Sequence, residues 1–155
     1  MLSIAIALAG VPPPVEGDDR TAILYTVNHV LELVGTGTSA DLAAVLDPTG
    51  RMVIVNRLDG DEKIIVRPMQ EFIEKHPNPG AGYVEKIGIP TVLQRGSLAR
   101  VWAPYAFWMG GKKSHCGIDD FQLVRRDGQW VVTDLSFTME PTDTCAALGA
   151  PESPR

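Results

Sequence analysis

The hydrophobic positions of this chain change period about halfway along. Ile23, Val27, Val30 and Val34 recur at three- and four-residue intervals, with Leu24 and Leu31 widening the stripe. That spacing predicts an amphipathic helix, and Asp18 or Asp19 can cap its first turn. The run Gly35–Thr38 interrupts the pattern. Ser39 then predicts the cap of a short second helix, Ala40 to Leu46, stopped before Asp47–Pro48. The segment RMVIVNR, Arg51 to Arg57, predicts a strand. A third helix is expected from Pro68, a proline allowed in a first turn, to His76 before Pro77. HPNPGAG reads as a loop.

From Tyr83 the period becomes two. Four strands are expected, roughly at 83–94, 98–109, 114–126 and 129–138, separated by RGS, GGKK and RDGQ. Asp127–Gly128 is the strongest hairpin signal, and Pro90 marks an edge or a bulge. The segment after Glu140 is rich in Pro, Thr and Ala and reads as a loose tail, 141–155. Three helices followed by a meander of strands predict an α+β layout in which a curved antiparallel sheet wraps around the helices.

Composition narrows this picture. With 155 residues, 45% hydrophobic and 21% charged, the chain suits one globular domain with a sizeable core. A net charge of -5 with scattered Lys and Arg argues against a nucleic-acid surface, which needs a basic patch. The apolar run LSIAIALAG is too short for a membrane span. It resembles the core of a secretory signal with Ala7–Leu8–Ala9 as the cleavage site, although no Lys or Arg precedes Arg20. The division expected is a signal-like segment and linker at 1–17, one domain at 18–140, and the tail. A periplasmic or secreted location follows from the signal; without it the chain is cytoplasmic. Cys116 and Cys145 fit one disulfide in an exported protein and two separate thiols in a reducing compartment, and sequence leaves both open.

Candidate chemistry concentrates in SHCGIDD, Ser114 to Asp120. Neighbouring strand residues point to opposite faces, so His115 and Cys116 cannot share a metal, and Ser114–His115–Cys116 cannot form a nucleophile–base pair. No metal or cofactor is expected. One row holds His115, Gly117, Asp119, Phe121 and Leu123. Symmetric closure of GGKK would add Trp108, Ala106, Pro104 and Trp102. A two-residue turn at Asp127–Gly128 would add Trp130, Val132, Asp134, Ser136 and Thr138. A one-residue slip in either hairpin regroups these, and would bring Tyr105 to the same face. His115 and Asp119 stand about 13 Å apart along the strand, too far for a direct hydrogen bond.

The expectation is therefore a small-molecule pocket. Asp119 and His115 are its reactive groups, with Trp102, Trp108, Phe121, Ser136, Thr138 and Tyr105 as ligand contacts. The alternative pairs Asp119 with Ser136 or Thr138 across the sheet and leaves His115 capping the hairpin. Tyr25 and His29, one helical turn apart, read as exposed or interfacial.

The segment ARVWAPYAFWMGGKKSHCGIDDFQLVRRDGQWVVTDLSFT resembles the C-terminal half of the nuclear transport factor 2-like superfamily, and DDRTAILYTVNHVLELV resembles its opening helix. The likeness covers about residues 18–140 and is nearest to SnoaL-like and lumazine-binding-like bacterial proteins. It implies a conical fold and a pocket for a small apolar or aromatic molecule. It also implies a role for Asp119 like that of the pocket carboxylate in cofactor-free isomerases and cyclases. No paired carboxylates with a tyrosine, as in ketosteroid isomerase, can be assigned from sequence, nor the Asp–Arg–Asp set of epoxide hydrolysis, nor the His and Asp of polyketide cyclases. A non-catalytic exported module, homodimeric through its sheet and with a vestigial pocket, is the second reading.

Overall fold

A computed structural model describes residues 18–76 and 80–154; the signal-like segment and its linker lie outside the described residues. Helix α1 (Asp18–Thr36) buries Ile23, Val27, Val30 and Leu31, the stripe that periodicity marks. Helix α2 (Ser39–Val45) is capped by Thr38, one residue earlier than expected. The Thr38 hydroxyl accepts from the Asp41 N–H at 3.2 Å while the Asp41 carboxylate accepts from the Thr38 N–H at 2.8 Å. This reciprocal box satisfies two backbone donors at once, which a cap at Ser39 would not.

Strands β1 (Arg51–Asn56) and β2 (Lys63–Pro68) form a hairpin that leads into helix α3 (Met69–Glu74). Sequence periodicity misses β2 because it is an edge strand with no buried row: Ile64 and Val66 are both exposed. The remaining strands are β3 (Tyr83–Ile87), β4 (Thr91–Arg95), β5 (Leu98–Met109), β6 (Lys112–Arg126) and β7 (Gln129–Met139). The strand expected at 83–94 is thus two strands. Both pair with β5, and the break between them is fixed where the Gly88 N–H donates to the Pro104 carbonyl at 2.7 Å. Pro90 falls in the break, where no ladder donor is needed. The sheet runs β2-β1-β7-β6-β5-β3 with β4 also against β5. It is mixed rather than purely antiparallel, because β1 lies parallel to β7.

Two bulges decide which residues face inward. The β5–β6 hairpin pairs Trp108 with Lys113 but Phe107 with His115, so Ser114 is the extra residue. From there on, the β5 residues beside His115, Gly117 and Asp119 are Phe107, Tyr105 and Ala103. The expected row of Trp102, Pro104, Ala106 and Trp108 is on the other face. In the β6–β7 hairpin Leu123 pairs with Val132 but Gln122 with Asp134, leaving Thr133 extra; its hydroxyl donates to the Gln122 carbonyl at 3.2 Å. Trp130 and Val132 therefore stay on the inner face with Leu123, whereas beyond the bulge Leu135 and Phe137 replace Asp134, Ser136 and Thr138. Each inserted residue flips everything beyond it.

The chain after β7 is not loose. A 3-10 turn (Thr142–Thr144) leads into helix α4 (Cys145–Leu148), and Cys145 is disulfide-bonded to Cys116. Cys145 and Ala150 pack with Ala106, Trp108 and Cys116 into a second buried cluster on the outer face of the sheet. The bond closes a separation of 29 residues. Loop-closure entropy then predicts that Cys145→Ser costs about 3–4 kcal/mol. Urea unfolding should show that loss in the variant and in reduced wild type alike. Among the described residues no helix is long and apolar enough to cross a membrane.

Candidate functional site

Between the concave face of the sheet and the helices lies a cavity of about 230 Å³. Its apolar wall comes from Val30, Leu31 and Val34 of α1, Phe72 of α3, and Leu135, Phe137 and Met139 of β7. Its polar groups are Asp119 and His115 of β6, Tyr105 of β5, Glu85 and Tyr83 of β3, and His76 after α3. Of the residues singled out in the sequence, Asp119, His115, Phe121 and Tyr105 meet here. The bulges send the others elsewhere. Trp102 is 52% exposed on the outer face opposite Asp120, and Ser136 also lies opposite Asp120. Trp108 is buried under the C-terminal segment, with Lys113 Nζ over its ring at 5.5 Å. The Thr138 hydroxyl is taken by the Ile118 N–H at 3.0 Å.

That last contact shapes the site. Cys116 and Glu140 exchange two backbone hydrogen bonds, so the next hydrogen-bonding pair in an antiparallel ladder would be Ile118 with Thr138. The Thr138 side chain instead takes the Ile118 N–H, and the freed Thr138 carbonyl accepts from the Tyr105 hydroxyl at 2.7 Å. The carbonyl comes so close over Gly117 that a Cβ there would lie 2.0 Å from it. Gly117 is thus required by a close backbone approach, and it is opposite Tyr105 in the register.

Asp119 is 2% exposed, opposite Phe137 on one side and Ala103 on the other, and its Oδ2 has no hydrogen-bond partner. Neither Ser136 nor Thr138 pairs with it, contrary to the structural alternative. Burial raises its pKa well above the carboxylate range, and the nearby charges of Glu85 and Asp120 push the same way. The Asp120 carboxylate itself faces out, bound in two places by Arg100, Nε to Oδ1 at 2.6 Å and Nη2 to Oδ2 at 2.5 Å. Burial likewise pushes the Glu85 carboxyl up to about 8, although the residue as a whole is only half-buried. His115 stacks on Phe107 with centroids 5.0 Å apart, and its Nδ1 is 3.1 Å from Ser114 Oγ. Burial lowers its pKa to about 4, so the ring is neutral at pH 7. Burial also raises the Tyr105 hydroxyl, so it stays a phenol that donates to Thr138. Among the described residues no three His, Cys, Asp or Glu side chains converge as a metal-binding group.

Glu85 is the residue that sequence reading missed. In YVEKI it alternates with Tyr83 and Ile87, so an acid in an otherwise apolar row was the available signal. Two carboxyls, Asp119 and Glu85, share the cavity with Tyr105, and both act electrostatically on it. A second groove runs along α1 and β3 past Tyr25, His29 and Lys86, and shares Leu31, Tyr83 and Glu85 with the cavity. Tyr25 is 71% exposed and stacks on His29 at 5.9 Å along this groove.

No protein-family model matches the chain, and no curated protein sequence matches it significantly. Solved structures do. A nuclear transport factor 2-like protein of unknown function from Methylobacillus flagellatus superposes with a TM-score of 0.59 at 18% identity, covering 85% of this chain and 100% of the other. A nuclear transport factor 2-like protein with a cystatin-like fold from Novosphingobium aromaticivorans gives 0.63 at 14% identity over 84% and 88%. A protein provisionally named a scytalone dehydratase, from the same organism, gives 0.62 at 11% identity over 79% and 85%. The curved sheet, the helices across its concave face and these superpositions together establish that the chain has the nuclear transport factor 2-like fold.

Proposed function

We propose that this chain is a small-molecule-binding protein of the SnoaL-like type. Its cavity takes one small, largely apolar molecule, and Asp119 carries out cofactor-independent proton transfer of the isomerase, cyclase or lyase kind. One observation carries the reading: Asp119, 2% exposed, lines an aromatic-walled cavity and has a carboxyl oxygen with no hydrogen-bond partner. Nothing structural in the fold uses that oxygen, and leaving a buried polar group unpaired costs free energy. A raised pKa suits such a carboxyl to exchange protons near neutral pH. His115, neutral, offers a hydrogen bond rather than a charge. The disulfide supports an exported protein, since such bonds persist outside the reducing cytoplasm.

Cavities of about 150 Å³ are known to bind benzene, so this one has room for a single ring with a short substituent. Acetophenone is a suitable probe. Wild type should accelerate exchange of its methyl protons into D₂O, followed by NMR, and Asp119→Asn should lose about 10²–10⁴-fold of that acceleration. Equal rates for the two proteins would remove Asp119 from the chemistry.

The second reading, a sheet-mediated homodimer, is favoured by one feature. Trp102 is half-exposed on the outer face, in a depression it shares with Leu93, Thr91 and the Arg100–Asp120 pair. Large exposed aromatics are typical interface anchors. Trp102→Glu should convert a dimer to monomer on gel filtration, and an unchanged elution volume would count against the interface.

A further inference from the structure

The charge inventory of the cavity is one-sided. Asp119 and Glu85 both line it, and none of its lining residues is Lys or Arg. Neither carboxyl takes part in an ion pair among the described residues, in contrast to Asp47, which is also buried but held by Arg126 at 2.6 Å and by the Thr49 N–H and hydroxyl at 2.9 and 2.6 Å. The fold therefore neutralises a buried acid where it is structural and leaves two uncompensated here. Buried charges are ordinarily paired, so a missing partner points to something that arrives with the ligand.

We propose that the ligand of this cavity is a cation: a small apolar or aromatic body carrying one protonated amine, whose ammonium sits against the Asp119–Glu85 pair. This rests on the small-molecule reading above and names its ligand class. The walls suit such a group, because Tyr83 and Phe107 meet at 5.5 Å and Tyr105 and Phe137 at 6.3 Å, presenting ring faces and edges around the acids. Aromatic faces attract a desolvated ammonium, and a nearby carboxylate adds a charge-assisted hydrogen bond. Glu85 lies in the wall common to the cavity and the α1–β3 groove, so a cation arriving along that groove meets Glu85 before Asp119. With two carboxyls present, one can hold the ammonium while the other exchanges a proton.

The titratable groups facing this pair are His115 from β6, Tyr105 from β5, Tyr83 from β3 and His76 from the end of α3. Tyr25, His29 and Glu32 of α1 and Lys86 of β3 stand along the groove that Glu85 also lines, and Asp120 and Glu140 act from behind the sheet. The two cavity histidines, His115 and His76, are driven toward the neutral form by burial and supply no competing cation inside the cavity. Amine binding should therefore strengthen as pH rises from 5 to 8 and the pair ionises.

The test is calorimetric titration of the full, oxidised protein with 2-phenylethylamine, its neutral isostere 2-phenylethanol, and phenylacetate. The amine should bind about tenfold or more tighter than the alcohol at pH 8, the difference expected for a hydrogen bond to a charged group, and phenylacetate should not bind. Glu85→Gln should erase most of the amine's advantage over 2-phenylethanol. Should that variant fold poorly, the wild-type amine-to-alcohol ratio must still rise with pH. If the alcohol binds as well as the amine at every pH, the cation proposal is overturned while the pocket reading stands. If none of the three binds, both fail.

Discussion

Wild-type protein is expected to lose stability between pH 6.5 and 8, by about 2 kcal/mol for each proton that the folded state holds and the unfolded state has released. Asp119→Asn should remove the Asp119 share of that slope, leaving that of Glu85, alongside the loss of proton-exchange acceleration. The sign follows from the direction of the shifts. Asp119 is raised by burial and by Glu85, and Glu85 is raised to about 8 by burial. Between the ordinary carboxylate range and the folded value, the native state binds more protons than the unfolded chain, so stability falls as pH rises. His115 works the other way. Its folded value of about 4 lies below the ordinary 6.5, so stability falls as pH drops through that window. From pH 4 to 6.5 the two tendencies oppose each other, and only above 6.5 does the carboxyl slope stand alone. Urea unfolding of wild type and Asp119→Asn at pH 6.5, 7.25 and 8 measures it. A wild-type curve that is flat or rising over this range would mean that the pair holds no extra proton, and Asp119 would then be an ordinary carboxylate.

Gly117→Ala should be strongly destabilising, at about 3 kcal/mol or more. The added Cβ would lie 2.0 Å from the Thr138 carbonyl oxygen and 2.7 Å from its hydroxyl. The nearer of these is backbone, so no rotamer change relieves it. Relief requires β7 to move, which breaks the Tyr105–Thr138 and Ile118–Thr138 hydrogen bonds together. Tyr105→Phe removes only the first and should cost about 1 kcal/mol. A Gly117→Ala loss no larger than that of Tyr105→Phe would show that β7 adjusts freely and that the tyrosine is not held by the carbonyl. Folded Gly117→Ala, if recovered, should also show a displaced Tyr105 ring in its aromatic NMR signals.

How much of this was legible beforehand differs by element. Helix α1 and strands β5, β6 and β7 were readable because each carries long stretches of regular spacing between its irregularities, which leave a period in the sequence. Strand β2 was not, because an edge strand with exposed Ile64 and Val66 has no row to mark it. The tail misled for a different reason. A Pro- and Ala-rich segment lacks periodicity of its own and is ordered by the Cys116–Cys145 bond, whose formation depends on two distant parts of the chain meeting. At the site, Asp119, His115 and Phe121 share the cavity because they lie on one strand without an irregularity between them, and period two suffices for that. Trp102, Trp108, Ser136 and Thr138 were assigned across hairpins, where one extra residue reverses the face, and Ser114 and Thr133 are such residues.

Sequence alone determined the architecture, a curved sheet enclosing an N-terminal helix, and the presence of one acid in an inward row. These depend on periodicity and turn chemistry, which are local. The tertiary structure decided which strands face that acid, that a second carboxyl on β3 joins it, and that among the described residues neither has an ion-pair partner. Those facts depend on register between segments up to 34 residues apart, from Glu85 on β3 to Asp119 on β6. Register is set by bulges and by whichever contacts survive the burial of the whole core, and no local pattern encodes it.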